Sequence, residues 1–173
     1  MNTLWANAIA YQVVWFVAVI GAGQGLAWPG VLAALVFVAA TVVNSPWRAK
    51  DLQLLLAALL CGSVIDTALA TLGWARYGAP SPAPGQTFAP LWILALWAAF
   101  STTLTRSMGW LRQRLWLGGV LGALGGPLAY LGAARGWQVV AFEAPAWRGL
   151  MALGVGWAVA MTMLLRAARQ PAS

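Results

Sequence analysis

Residues 1–47 read MNTLWANAIAYQVVWFVAVIGAGQGLAWPGVLAALVFVAATVVNSPW and contain no Asp, Glu, Lys or Arg. As a helix this run is about 70 Å long, which is enough to cross a hydrocarbon core of about 30 Å twice. Residues 21–30 hold four glycines and one proline, which interrupt helices. The sequence therefore predicts span 1 at residues 4–23 and span 2 at residues 29–44.

Four further apolar segments follow and are predicted as spans at residues 52–74, 90–110, 115–134 and 149–165. Six spans of about 20 residues leave no room for a separate soluble domain. The predicted fold class is therefore all-α, a polytopic membrane helix bundle of six transmembrane helices forming one domain over residues 1–173. Span 1 is expected to stay uncleaved, because residues 1–3 lack the Lys or Arg of a signal peptide.

The composition excludes several kinds of chemistry. Hydrophobic residues make up 62% of the chain and charged residues 8%, whereas soluble domains carry about 25% charged residues. The chain has no His and one Cys, which excludes His-ligated haem, His-based zinc sites, Ser-His-Asp catalysis and internal disulfides. No metal and no cofactor is expected. Catalytic residues stay unassigned and a non-enzymatic role is favoured, because an enzyme would need Asp66, Glu143 or Tyr130 for proton transfer.

The basic residues predict an orientation. In a six-span topology, seven lie on the face that carries both termini: Arg48, Lys50, Arg106, Arg112, Arg114, Arg166 and Arg169. Three lie on the other face: Arg76, Arg135 and Arg148. The positive-inside rule then places both termini in the cytoplasm, and we expect the inner membrane of a bacterium. The net charge of +7 reflects this topology, so nucleic acid is not expected as a partner.

Asp66 is the one charge well inside a predicted span, where a carboxylate costs about 2.5–3.5 kcal/mol on insertion scales. It is either a carboxylate that binds a proton, a cation or a ligand headgroup, or a structural group that fixes helix packing. Tyr130 and Arg135 are expected at a similar depth, and a cluster of these three residues capped by Glu143 is a hypothesis that follows from depth alone.

Span 5 contains a glycine stripe. Gly118, Gly122 and Gly126 recur every four residues and share one helix face, which favours close approach of another helix. Pro127 is expected to kink this span and to free a backbone carbonyl. Close packing is the favoured role, and ligand binding at the kink is the alternative.

Polar and aromatic residues inside other spans supply further candidates. Asn7 and Tyr11 lie one turn apart on span 1 and form either interhelical hydrogen bonds or part of a polar pocket. Trp15, Trp97 and Trp157 lie inside spans, where they pack in the bundle or line a hydrophobic ligand cavity. Packing is favoured for the three tryptophans as a group, and Trp97 is kept as a ligand candidate.

The order of several motifs resembles a known family. The motifs are Asn7-xxx-Tyr11-Gln12-xx-Trp15, Gly62-xxx-Asp66, Pro90-Leu91-Trp92-xxxx-Trp97-xx-Phe100 and Gly125-Gly126-Pro127-Leu128-Ala129-Tyr130-xx-Ala133. Together they resemble the bacterial membrane family called domain of unknown function 2878. The family has no established activity, so the resemblance implies no catalytic residue. It implies a lipid-linked role by association, since such proteins are often encoded near enzymes that modify membrane fatty acyl chains.

The sequence therefore predicts a membrane protein that binds or handles a lipid-like hydrophobic molecule, with membrane lipid as partner, within a lipid-modification pathway. The candidate ligand-binding residues are Asp66, Tyr130, Arg135, Asn7, Tyr11 and Trp97. One alternative is a proton- or cation-coupled transporter that uses Asp66. Another is a non-catalytic scaffold whose glycine stripe docks a membrane-protein partner or a second copy of the chain.

Overall fold

The computed structural model describes residues 3–81 and 87–169. In these residues the chain forms six helices: α1 (Thr3–Gly23), α2 (Trp28–Val43), α3 (Arg48–Thr71), α4 (Leu91–Ser101), α5 (Leu115–Trp137) and α6 (Trp147–Arg169). A 3₁₀ helix covers Gly109–Gln113, and two strands, β1 (Ala75–Tyr77) and β2 (Val140–Phe142), pair antiparallel. The predicted all-α bundle of six helices is confirmed, with a small two-stranded sheet that the sequence did not predict.

Four of the helices, α1, α3, α5 and α6, are long and apolar enough to cross a membrane. The other two are shorter, with 16 residues in α2 and 11 in α4. At about 1.5 Å per residue, α4 reaches only about half the thickness of a hydrocarbon core. The protein is a membrane protein by these features, and crossing by all six helices stays a prediction.

Span 4 is the largest difference between the predicted and observed helices. It was expected to continue to residue 110, but α4 ends at Ser101 and turns follow before the 3₁₀ helix. The hydroxyls of Ser101, Thr102 and Thr103 each donate to the carbonyl three residues earlier, at 2.7–2.8 Å. Such bonds compete with the backbone bonds of a helix, which explains the early end.

The bundle has two chemically different ends. Hydrogen bonds from Ser107 to Asn7 and from Arg106 to Asp51 bring the starts of α1 and α3 to the end of α4. This end, which also holds the 3₁₀ helix and the end of α6, is called the basic end. The strands β1 and β2 define the opposite sheet end.

Helices α5 and α6 pack closely because α5 presents its glycine stripe to α6. A Cβ on Gly122 would lie 2.7 Å from Met161 Cγ, and a Cβ on Gly118 would overlap Leu165. Gly118, Gly122 and Gly126 are all buried. The stripe is therefore filled by α6 of the same chain.

Pro127 lies inside α5 and has no N–H to bond the Ala123 carbonyl four residues earlier. Gly154 of α6 packs at this point, since a Cβ there would lie 3.0 Å from the Ala123 oxygen. The missing hydrogen bond and the absent side chain thus occur at one helix contact. This contact requires the backbones of α5 and α6 to approach closely.

The chain leaves α3 through a glycine turn that positions β1. Gly73 has a φ of +66°, Trp74 N–H donates to the Leu69 carbonyl at 2.9 Å, and Gly73 N–H donates to Ala70 at 3.1 Å. This is a Schellman motif, which ends a helix with a left-handed residue. The turn directs Tyr77 back toward the helix that precedes it.

Candidate functional site

Asp66 lies on the buried face of α3. Residues spaced three or four apart along this helix are buried and form one stripe: Asp51, Leu54, Ala58, Gly62, Asp66 and Leu69. Asp66 itself has no exposed surface. A carboxyl group at such a position is stable only if its oxygens find hydrogen-bond donors.

Three neutral donors surround the Asp66 carboxylate. The hydroxyls of Tyr130 and Tyr77 donate to Oδ1 at 2.7 and 2.9 Å. The indole Nε1 of Trp97 donates to Oδ2 at 2.8 Å. The two ion pairs found among residues 3–81 and 87–169 both use other carboxylates. The site is therefore a buried acid held by phenol and indole groups from α5, β1 and α4.

Tyr77 contributes a donor from outside the helices. Burial is the largest cause that raises the pKa of the Tyr77 phenol above its ordinary value, and the nearby Asp66 carboxylate raises this pKa further. The phenol therefore keeps its proton and its role as a donor over the whole neutral range. Its strand thus closes the sheet-end side of the Asp66 site.

Two glycines make room for a pair of stacked indoles beside Asp66. Trp97 and Trp157 stack with ring centroids 4.1 Å apart and an interplanar angle of 22°. A Cβ on Gly62 would overlap the Trp97 ring, and a Cβ on Gly126 would overlap the Trp157 ring. The pair is therefore held between α3 on one side and α5 on the other.

A small cavity adjoins the stacked indoles and is called the aromatic cavity. It has a volume of about 50 Å³ and a mostly apolar wall. Its wall comes from α1, α4, α5, α6 and β2, and includes Tyr11, Trp15, Trp92, Trp97, Ala129, Tyr130 and Trp157. Trp97 and Tyr130 thus belong both to this wall and to the shell of donors around Asp66.

One wall residue carries an unpaired polar atom. Trp92 Nε1 donates to the Gly78 carbonyl at 2.9 Å, and Trp97 Nε1 is bonded to Asp66. In contrast, Trp157 Nε1 is buried and has no hydrogen-bond partner among the residues that the structure describes. Burial of an unpaired N–H costs about 1–3 kcal/mol. An acceptor on a bound molecule would remove this cost.

The sequence-predicted site residues fall into separate places. Asp66, Trp97 and Tyr130 form one hydrogen-bonded group, and Tyr11 lines the aromatic cavity with its ring edge-on to Phe100, 5.9 Å between centroids. Asn7 is buried at the basic end and accepts from Ser107 Oγ at 2.8 Å.

The expected cluster of Asp66 with Arg135 and Glu143 differs from the observed geometry. Arg135 is exposed in the last turn of α5, and its guanidinium is not among the donors to Asp66. Glu143 forms an ion pair with Arg76 at the sheet end. The depth of a residue along a helix gives its level in the membrane but not the helix face on which it lies. Depth alone therefore grouped Arg135 with Asp66.

Sequence reasoning missed two contributors. Tyr77 lies eleven residues after Asp66 in what was expected to be a loop, and no spacing rule predicts its return to the helix. Asp51 lies just outside the predicted spans but is buried in α3, and its Oδ2 accepts from Arg106 Nη2 at 2.8 Å. The one available signal was Arg106, a cation near the end of predicted span 4, because charged residues within membrane segments usually pair with one another.

Comparison with known families identifies the chain. A family model described as "Protein of unknown function (DUF2878)" matches residues 4–163, so the chain belongs to this family. No curated protein and no solved structure gives a match. The family description carries no activity, so a functional argument depends on the site itself.

Proposed function

We propose that this DUF2878 protein binds a lipid-like molecule within its bundle, with one hydrogen-bond acceptor of that molecule placed against Trp157 in the aromatic cavity. The observation that carries the proposal is that Trp157, whose indole N–H is buried and unpaired among the described residues, lines a mostly apolar cavity. Ligand sites typically combine an apolar wall with a few polar groups that set orientation. Indoles, phenols and one free N–H give this cavity that character.

The size of the cavity limits what enters it. A volume of about 50 Å³ exceeds what one water needs, but it is far below that of a whole lipid. It fits a short segment of a molecule, such as a few carbon atoms around an ester or hydroxyl oxygen. The remainder would lie among the helices or in the membrane, toward which α1 and α5 expose apolar side chains.

Asp66 then has a structural part in binding. Its carboxylate accepts hydrogen bonds from two wall residues, Trp97 and Tyr130, and so fixes their ring orientations. Such fixed walls favour binding because less side-chain entropy is lost. Coupled transport, the alternative that uses Asp66, would require the same carboxylate to exchange a proton or cation and therefore to release these donors.

A scaffold role would need a surface other than the glycine stripe. Gly118, Gly122 and Gly126 pack against α6 of the same chain and are not available to another subunit. A membrane-protein partner or a second copy would instead dock on the apolar outer faces. Among the three roles, ligand binding is the one that uses the unpaired Trp157 N–H.

We place the protein in the inner membrane of a bacterium, with the basic end and both termini in the cytoplasm, as a membrane partner of lipid-modifying enzymes. The concentration of basic residues at one end supports this orientation. A Cys61→Ala background with one new cysteine, at Arg166 or at Arg76, tests it. A membrane-impermeant thiol reagent added to intact cells should label the cysteine at 76 and not the one at 166; the reverse pattern would reject the orientation.

Native mass spectrometry tests the binding proposal. Protein purified in mild detergent should retain a lipid-like species, and Trp157→Phe should lose it, because phenylalanine preserves the stack but has no N–H. Ala129→Leu, which fills the cavity, should lose it as well. Ala39→Leu adds the same side chain at an exposed position of α2 and should retain it. Equal retention in all four proteins would reject the proposal.

A further inference from the structure

A second concave surface lies at the basic end and is called the basic groove. It is an open groove of about 780 Å³, and four arginines line it: Arg106, Arg112, Arg114 and Arg169. Trp110, which is 56% exposed, lies in the same wall. The groove is remote from the Asp66 site, since Asp51 and Asp66 are about 22 Å apart along α3.

The chain has no carboxylate side chain left to neutralise three of these arginines. Of its three acidic residues, Asp66 and Glu143 lie toward the sheet end, where they bond aromatic donors and Arg76. Asp51 is buried and pairs with Arg106. Arg112, Arg114 and Arg169 therefore have no acidic side chain of this chain to pair with.

Two of these guanidinium groups make local contacts through Nε. Arg112 Nε donates to the Gly109 carbonyl at 3.0 Å, and Arg169 Nε donates to the Arg112 carbonyl. Both bonds use Nε, and neither occupies a terminal nitrogen of the guanidinium group. An oriented guanidinium with free terminal N–H groups is suited to bind two oxygens of one oxyanion.

We infer that the basic groove binds a phosphate group through Arg112, Arg114 and Arg169. The positive-inside rule accounts for arginines at this end, but it does not require them to line one concave surface. Phosphate offers several oxygens to several guanidinium groups at once. Trp110 lies beside the arginines at a helix end, where an indole suits the lipid headgroup level. The phosphate belongs either to an anionic lipid headgroup or to a soluble compound.

The experiment uses full-length protein in neutral detergent with three probes: phosphatidylglycerol, diacylglycerol, which lacks phosphate, and inorganic phosphate. Binding is measured by native mass spectrometry for the lipids and by calorimetry for phosphate. Arg114→Gln is the first variant, because the Arg114 side chain makes no described contact that folding would lose. Arg112→Gln and Arg169→Gln follow, with thermal unfolding as the check on folding.

Arg166→Gln is the matched control, since Arg166 is exposed on α6 at the same end but does not line the groove. If the basic groove is a specific phosphate site, each groove variant should weaken binding of the phosphate probe about tenfold or more, because a hydrogen bond to a charged group is lost. Diffuse attraction to a basic surface predicts about fivefold for any arginine, Arg166 included. Loss confined to the groove variants supports the inference, and equal loss in Arg166→Gln overturns it.

The probes separate the two sources of phosphate. Retention of phosphatidylglycerol over diacylglycerol, with loss in the groove variants, assigns the groove to a lipid headgroup. Binding of inorganic phosphate with the same arginine dependence, and no preference between the two lipids, assigns it to a soluble phosphate compound. Binding of neither phosphate probe overturns the inference. Trp157→Phe should leave these results unchanged, so failure of the aromatic-cavity proposal is distinguishable.

Discussion

Trp97 occupies the space that a side chain at Gly62 would fill, and this position puts its Nε1 2.8 Å from Asp66 Oδ2. Gly62 and Asp66 are one turn apart on α3. The two residues therefore act together: Gly62 leaves room for the indole, and Asp66 accepts its hydrogen bond.

Gly62→Ala should destabilise the protein, because the new Cβ overlaps the Trp97 ring and forces the indole away from Asp66. Overpacking of a filled core costs about 1–3 kcal/mol. Unfolding in detergent, followed by circular dichroism, measures the change. Gly125→Ala is the control, since its Cβ meets no atom within 4 Å, and it should be neutral or stabilising. Equal destabilisation by both would contradict the proposed packing.

Trp97→Phe should lower the stability of delipidated protein, and Trp157→Phe should not. The first leaves Asp66 Oδ2 without its donor and should cost about 1.5–3 kcal/mol. The second removes an N–H that is already unpaired and should be neutral or stabilising. Both replacements keep an aromatic ring in the stack, so each variant controls for the other. Similar losses in the two variants would show that packing, not hydrogen bonding, dominates.

The raised pKa of Tyr77 predicts that the folded protein loses stability at alkaline pH. Its pKa is raised in the folded state, so the phenol in the unfolded chain loses its proton first, at about pH 10. The folded state then binds more protons, and stability falls as the pH rises above about 10. Thermal unfolding from neutral to alkaline pH measures this slope. Tyr77→Phe should reduce it, and an unchanged slope would assign it to another group.

Arg106→Gln should destabilise the protein strongly, because it leaves the Asp51 carboxylate, with 3% of its side chain exposed, without its cation. Breaking a buried pair costs about 3–5 kcal/mol. Arg76→Gln breaks the exposed pair with Glu143 and should cost less than about 1 kcal/mol. Chemical unfolding of both variants in one detergent makes the comparison. A small effect of Arg106→Gln would mean that water reaches Asp51.

The helices were predictable because lipid and water demand different compositions. Apolar runs with at most one charge, bounded by Gly, Pro or basic residues, predict α1, α3, α5 and α6. The early end of α4 was not predictable from hydropathy, because Thr102 and Thr103 are tolerated in apolar helices and their hydroxyls bond locally only in the folded chain.

The candidate site was predictable in part. Asp66 stood out as a charge within an apolar segment, and Tyr130 was expected at its depth. The contribution of Tyr77 depends on how the chain folds back after Gly73, which a helical period does not encode. The unpaired state of Trp157 Nε1 depends on which neighbours surround the ring, so it required the structure.

The central claim is that a molecule occupies the aromatic cavity and accepts a hydrogen bond from Trp157. An experimental density map of the protein in nanodiscs made from native membrane lipid tests it most directly. The account predicts elongated density in the cavity, with an atom at hydrogen-bond distance from Trp157 Nε1. A cavity closed by protein side chains, or a Trp157 N–H bonded to the chain itself, would contradict it.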